Sequence, residues 1–265
     1  MNSPTSRRSN LSKRKTGALR KDSKLTNSKK DTQTYYMNES KTIQFDGTKP
    51  KLIRHIQLVP KSINQEKYIL ELLNPNTDIV IAAGPAGTGK TFLAMQAAIK
   101  ALKNGDVERI ILTRPAVGVD DEKHGFLPGD INAKMEPWTR PLFDVMREYY
   151  TGKEITHMLE EQIVEIAPLA FCRGRNFKHS YVILDEAQNC TPSQLKMIMT
   201  RIGVGSKIII TGDVDQTDRR KPDNGLLDLQ QRIVKLNIPG IELCQLELKD
   251  VQRHHLIEHI LTMYE

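Results

Sequence analysis

The chain has 265 residues, 38% hydrophobic and 27% charged, enough for one sizeable α/β core with extensions. Its formal charge of +7 is uneven, because residues 1–30 hold ten Lys/Arg against one Asp and carry +9, which leaves −2 for the rest. Three cysteines without C-x-x-C spacing argue against a disulfide framework or a zinc site; no run reaches transmembrane length and the N-terminus lacks a secretory apolar stretch, so a reducing cytoplasm is expected.

Residues 1–45 read as a disordered basic tail, since Ser, Thr, Asn, Lys and Arg cannot bury enough surface to offset ordering entropy. Such a tail can meet nucleic acid through its phosphates, or be no more than a solvated leader. The remainder, 46–265, reads as one folded domain. Leu52-Ile53 and Ile56–Val59 form an edge strand or an extended lead-in, and Ser62–Leu73 a short helix closed by the turn Asn74-Pro75-Asn76. Asp78–Ala83 is apolar and rich in β-branched residues, as a buried parallel strand should be.

Directly after it stands Gly84-Pro85-Ala86-Gly87-Thr88-Gly89-Lys90-Thr91, which fits G-x-x-x-x-G-K-[ST]. Phe92, Met95, Ile99 and Leu102 follow at helical spacing, with Asn104-Gly105 as a stop. Strand, glycine loop and helix together make a phosphate cradle. Glycines let the backbone wrap a polyphosphate, and N–H groups at the helix N-terminus point at its negative charge. Lys90 is expected to reach the β- and γ-phosphates of ATP, and the Thr91 hydroxyl to ligand Mg²⁺.

Glu108–Arg114 is a second buried strand, so the strand–helix–strand unit implies a right-handed parallel crossover. A long loop, 115–130, leads to a helix capped by Asp130, running towards Glu148 and interrupted by Pro137 and Pro141. A helix near 154–162 and a strand at 163–166 follow. Tyr181–Leu184 then ends in Asp185-Glu186, carboxylates at the end of a strand that faces the ligand crevice of an α/β sheet. Asp185 is expected to hold Mg²⁺ through its water shell, and Glu186 to orient and deprotonate the attacking water. Thr191-Pro192 opens a helix through Ile202. Lys207–Thr211 is another strand, and it delivers Gly212–Gln216 to the same edge. A helix over 223–236, a strand over 241–248 and a helix over 251–264 complete the chain.

With both nucleotide motifs placed, the sequence from about Asn64 to His254 resembles the PhoH-like family of P-loop ATPases. The resemblance rests on GPAGTGKT at 84–91, TRPAV at 113–117, GFLPGD at 125–130, RGR at 173–175 and ILDEAQN at 183–189. It continues through TRIG at 200–203, GSKIIITGDVDQTD at 205–218 and Arg253-His254. It implies a RecA-like core, a parallel sheet with helices on both faces, similar to the first motor domain of superfamily 1 helicases. There a D-E-x-Q and a G-D-x-x-Q motif accompany the loop, as Asp185–Gln188 and Gly212–Gln216 do here. By the same resemblance Gln65 reads the adenine edge, Thr113-Arg114 lies where such cores touch a nucleic-acid backbone, and Gln216 senses the γ-phosphate.

Phosphoryl transfer needs positive charge beyond Lys90. Arg201, placed where ring-forming NTPases put an arginine finger, and Arg253 are the candidates; a finger acting in trans requires an oligomer, for which a ring is one form. One RecA-like core lacks the second motor domain of a helicase. The expected activity is therefore ATP hydrolysis stimulated by single-stranded RNA or DNA, with a nucleotide-dependent assembly switch as the alternative. A small-molecule kinase shares the loop, but a water-activating carboxylate at Glu186 suits hydrolysis.

Overall fold

The computed structural model describes residues 33–38, 41–45, 50–54, 56–115, 140–217, 223–252 and 263. Two units emerge, Met1–His55 and Ile56–Glu265. In the first, β1 (Gln33–Asn38), β2 (Lys41–Phe45) and β3 (Pro50–Arg54) form an antiparallel sheet in chain order. Tyr35 pairs with Ile43, and Ile43 with Leu52. β1 and β2 fall inside the span 1–45. Thr34, Tyr35, Tyr36, Thr42, Ile43 and Phe45 are types that favour strands, a local signal hidden by the polar, basic composition around it. β3 takes up Leu52-Ile53; residues 1–32 lie outside the described residues.

The second unit is built on six parallel strands: β4 (Ile79–Ala83), β5 (Arg109–Arg114), β6 (Val164–Pro168), β7 (Ser180–Leu184), β8 (Lys207–Gly212) and β9 (Ile241–Gln245). Their spatial order is β6-β5-β7-β8-β4-β9. The helices are α1 (Ile63–Leu73), α2 (Lys90–Asn104), α3 (residues 140–147), α4 (Gly152–Glu160), α5 (Pro192–Met199) and α6 (Gly225–Leu236).

Alternate residues of each strand feed opposite faces. Val80, Ala82, Ile110, Leu112, Ile183 and Ile209 pack with α1 to α4, through Tyr68, Met95, Met146 and Ile155 among others. Ile79, Ile81, Ile111, Val182, Leu184 and Ile208 pack with α5 and α6, through Leu195, Ile198, Leu226 and Ile233. Both faces are covered, which is why β4 and β7 are buried at every position and read as continuous apolar runs. Each fully buried Ile or Leu contributes about 1.5–3 kcal/mol. This is the expected RecA-like P-loop fold.

The ends follow the sequence signals. The Ser62 hydroxyl accepts from the Gln65 N–H at the start of α1, and Thr191 with Gln194 forms a capping box ahead of Pro192. α5 stops at Met199, three residues short of the expected Ile202. Most of the helix expected over 251–264 and most of the 115–130 loop, with Asp130 and Pro137, lie outside the described residues. Because all six strands run the same way, Ala83, Arg114, Leu184 and Gly212 end on one edge of the sheet.

Candidate functional site

β4 ends at Ala83 and the chain turns at once into the glycine loop. Gly84 has φ 150°, and a Cβ there would stand 2.2 Å from the Leu246 carbonyl oxygen, so only glycine fits. Gly89 is the N-cap of α2, which starts at Lys90. The first N–H groups of α2 therefore open onto the loop, the arrangement that attracts anions. Lys90, 8% exposed, folds its ammonium back, donating to the Gly84 (2.6 Å) and Pro85 (2.8 Å) carbonyls. Buried Thr88 donates to the Pro85 carbonyl at 2.9 Å, and the Ala86 N–H donates to Asp213 Oδ2 at 3.2 Å. Behind the loop, burial pushes the Tyr68 phenol well above its ordinary value, with Tyr181 nearby adding to the shift. It stays a donor, to the Lys90 carbonyl at 3.1 Å.

The two carboxylates sit across from this loop. Asp185 follows β7, and its Oδ1 accepts from the hydroxyls of Thr91 (2.9 Å) and Thr211 (2.6 Å). One carboxylate oxygen thus ties the loop, β7 and β8 together. Glu186 adopts the left-handed conformation (φ 57°, ψ 41°), which costs of order 1–3 kcal/mol for a residue with a Cβ and is retained where function needs the direction. Its Oε1 is 3.3 Å from Arg114 Nη2, and its Oε2 accepts from Gln188 Nε2 at 2.5 Å. Gln188 is buried; its Nε2 also donates to the Gln216 carbonyl at 3.2 Å, and its Oε1 accepts from the Asp213 N–H at 3.1 Å. Gly212 makes room for it, since a Cβ there would come within 2.7 Å of Gln188 Oε1.

Lys90, Thr91, Asp185, Glu186, Asp213 and Gln216 line one pocket of about 260 Å³, together with the loop residues Ala86, Gly87 and Gly89. The fold thus brings the loop, Asp185, Glu186 and Gln216 to one pocket. Gln65 is brought to the back of the loop, where it is buried; its Oε1 accepts from the Lys61 N–H (2.8 Å) and its Nε2 donates to the Thr88 carbonyl (3.0 Å). It braces the loop.

Arg201 is not brought to this pocket. α5 starts near the pocket edge and runs back along the sheet, so its end lies by the beginning of β8. There the Arg201 guanidinium donates to the Met197 and Arg175 carbonyls and to the Thr200 hydroxyl. Arg253 lies outside the described residues. Thr211, Gln188 and Arg114 are contacts that sequence reasoning missed. Gln188 stands inside the D-E-x-Q motif, the one available hint; the other two depend on which strands are neighbours.

The family model described as PhoH-like protein matches residues 57–265. A PhoH-like protein of Synechocystis is 46% identical over 205 residues, covering 77% of this chain and 61% of its own. One from Bacillus subtilis is also 46% identical, over 77% of this chain and 63% of its own. Protein PhoH of Escherichia coli is 43% identical over 62% of this chain and 47% of its own. The chain thus spans about half to two thirds of the length of these curated relatives. Among solved structures, the Pyrococcus furiosus Hef helicase domain is similar at a TM-score of 0.41 and 16% identity, over 73% of this chain and 39% of that one. Among the described residues no helix is long and apolar enough to cross a membrane.

Proposed function

Because the chain belongs to the PhoH-like family, we propose that it binds ATP with Mg²⁺ at this pocket and hydrolyses it, stimulated by single-stranded RNA or DNA. The observation that carries the reading is the convergence of the Thr91 hydroxyl and the Asp185 carboxylate, 2.9 Å apart, beside Lys90. Hard oxygen donors of this kind suit Mg²⁺, which keeps several waters and takes one or two protein ligands plus phosphate oxygens. Thr91 and Asp185 would hold the ion, which when bound neutralises charge on the phosphates.

The chain's own groups supply the rest. The loop N–H groups and the α2 N-terminus bind polyphosphate, and Lys90 exchanges its loop carbonyls for phosphate oxygens. Glu186 takes the proton of the attacking water. Gln216, at the pocket wall and joined to Glu186 through Gln188, reports the terminal phosphate to the rest of the edge. Gln65 holds the loop and serves the adenine side. Arg201 serves as a finger only from a second copy of the chain, so an oligomer is part of this reading; Arg253 is the other candidate.

The test is phosphate release from Mg²⁺-ATP by the wild type and Lys90→Ala, with and without single-stranded RNA. Release that depends on Lys90 and rises with RNA is expected. Release unaffected by Lys90→Ala would remove the reading. The hold of Arg114 and Gln188 on Glu186 favours one alternative, a nucleotide-dependent assembly switch with little turnover. In that case Glu186→Gln keeps function while Lys90→Ala loses it; equal loss counts against it.

A further inference from the structure

Arg114 is the last residue of β5, and its side chain is 29% exposed while its guanidinium stands 3.3 Å from Glu186. Next to β5, β6 runs into a tight turn, Leu169–Cys172. The Cys172 thiol lies 3.7 Å from the Thr113 hydroxyl, which fixes this turn against the end of β5. The turn carries Phe171, a large aromatic ring left 57% exposed, and the next residue but one, Arg173, is exposed as well. An exposed aromatic ring, with one arginine on its own turn and another at the end of the neighbouring strand, is the chemistry that holds single-stranded nucleic acid, by base stacking and phosphate contact. Arg114 therefore holds the Glu186 carboxylate and is the group that a phosphodiester on this strip would meet.

We propose that Arg114 is the exchange point: without nucleic acid it restrains Glu186, and a phosphodiester of a strand lying over Phe171 and Arg173 takes the guanidinium and releases the carboxylate. The energetics permit it. A partly exposed ion pair is worth about 0–1 kcal/mol, and a guanidinium fork binds carboxylate and phosphate with similar geometry. Released from Arg114, Glu186 keeps its bond from Gln188, which links it to the Gln216 loop. The consequence for turnover rests on the ATPase reading above; the exchange of partners does not. Coupling is reciprocal, so anything that removes Glu186 from Arg114 must strengthen nucleic-acid binding by the same factor.

The test is binding of a fluorescein-labelled single-stranded oligouridylate at low salt to the full chain, as wild type, Glu186→Gln, Arg114→Gln and the double variant. Glu186→Gln is expected to bind up to about fivefold more tightly, the factor that a pair worth about 1 kcal/mol sets. Arg114→Gln binds more weakly, Arg114→Lys recovers part of the loss, and Glu186→Gln gives no gain in the Arg114→Gln background. A gain that persists in that background would be general charge removal and would overturn the proposal, as would no gain or no binding by any form. In hydrolysis, Arg114→Gln raises the unstimulated rate and abolishes stimulation by RNA. A fall to the Lys90→Ala level would instead make Arg114 part of the chemistry, and the latch would be wrong. If the binding cycle closes as expected but the wild type shows no Lys90-dependent hydrolysis, the exchange stands and the ATPase reading is what fails.

Discussion

At the edge of the sheet where the strands begin, a groove of about 750 Å³ runs between α1, α2 and the start of β8, against about 260 Å³ for the pocket where they end. In the larger hollow the polar groups serve the backbone. Lys207 donates to the Glu71 (2.9 Å), Leu72 (3.0 Å) and Asn74 (2.7 Å) carbonyls and so closes the end of α1. Ser206 bridges the Phe177 carbonyl and the Ser180 N–H. In the smaller one, side chains from β5, β7, β8 and the glycine loop bond to one another, and Glu186 sits in a strained conformation. The groups at the beginning of the strands close helix and strand ends, whereas those at the glycine loop bond to the loop and to one another and can exchange these partners for a ligand. Convergence of side chains marks the site, not volume.

That contrast breaks most sharply at Glu186. Glu186→Gln keeps the side chain's size but removes the proton acceptor, and turnover should fall by about 10²–10⁴-fold while ATP affinity stays near wild type. Equilibrium ATP titration beside single-turnover hydrolysis would show it; an unchanged rate would place the base elsewhere. Gly212→Ala is the next largest. Its Cβ crowds Gln188 and Leu226, so the link from Glu186 to Gln216 shifts. Overpacking of this kind costs about 1–3 kcal/mol, read as a lower midpoint in urea, with a slower rate at unchanged ATP affinity.

Gln65→Ala tests the brace behind the loop. It leaves the Thr88 carbonyl and the Lys61 N–H without their side-chain partner, at about 1–3 kcal/mol, and ATP binding weakens more than hydrolysis of bound ATP. The smallest effect belongs to the other edge. Burial pushes the Lys207 ammonium down to about 8, partly opposed by Glu71 and Asp78. Between that value and the ordinary lysine range, the unfolded chain holds a proton that the folded chain has released. Stability from this group therefore rises with pH across that window. Urea midpoints of wild type and Lys207→Met should diverge in favour of the wild type from about pH 8 towards pH 10. Parallel curves would mean that Lys207 is not desolvated.

The loop and its carboxylate pair were legible because each is a local pattern set on a local element: β-branched strand, glycine turn and helix in one case, apolar strand and Asp185-Glu186 in the other. What joins them was not. Asp185 meets Thr91 and Thr211, and Glu186 meets Arg114, because β8 lies between β4 and β7 while β5 flanks β7, an order that chain sequence does not state. Where Arg201 lies relative to the pocket of its own chain was not legible for the same reason: it depends on the direction α5 takes back across the sheet. Gln65 was expected to read the adenine edge; its bond to Thr88 is a tertiary contact that no spacing reveals.

The most direct measurement is the rate of phosphate release from Mg²⁺-ATP by Lys90→Met and Lys207→Met, two buried or half-buried lysines at opposite edges of one sheet, at a temperature where both variants are folded. Loss of turnover in Lys90→Met with turnover retained in Lys207→Met is the predicted result. Turnover retained in Lys90→Met, or lost equally in both, would contradict the assignment of chemistry to the edge that carries the glycine loop.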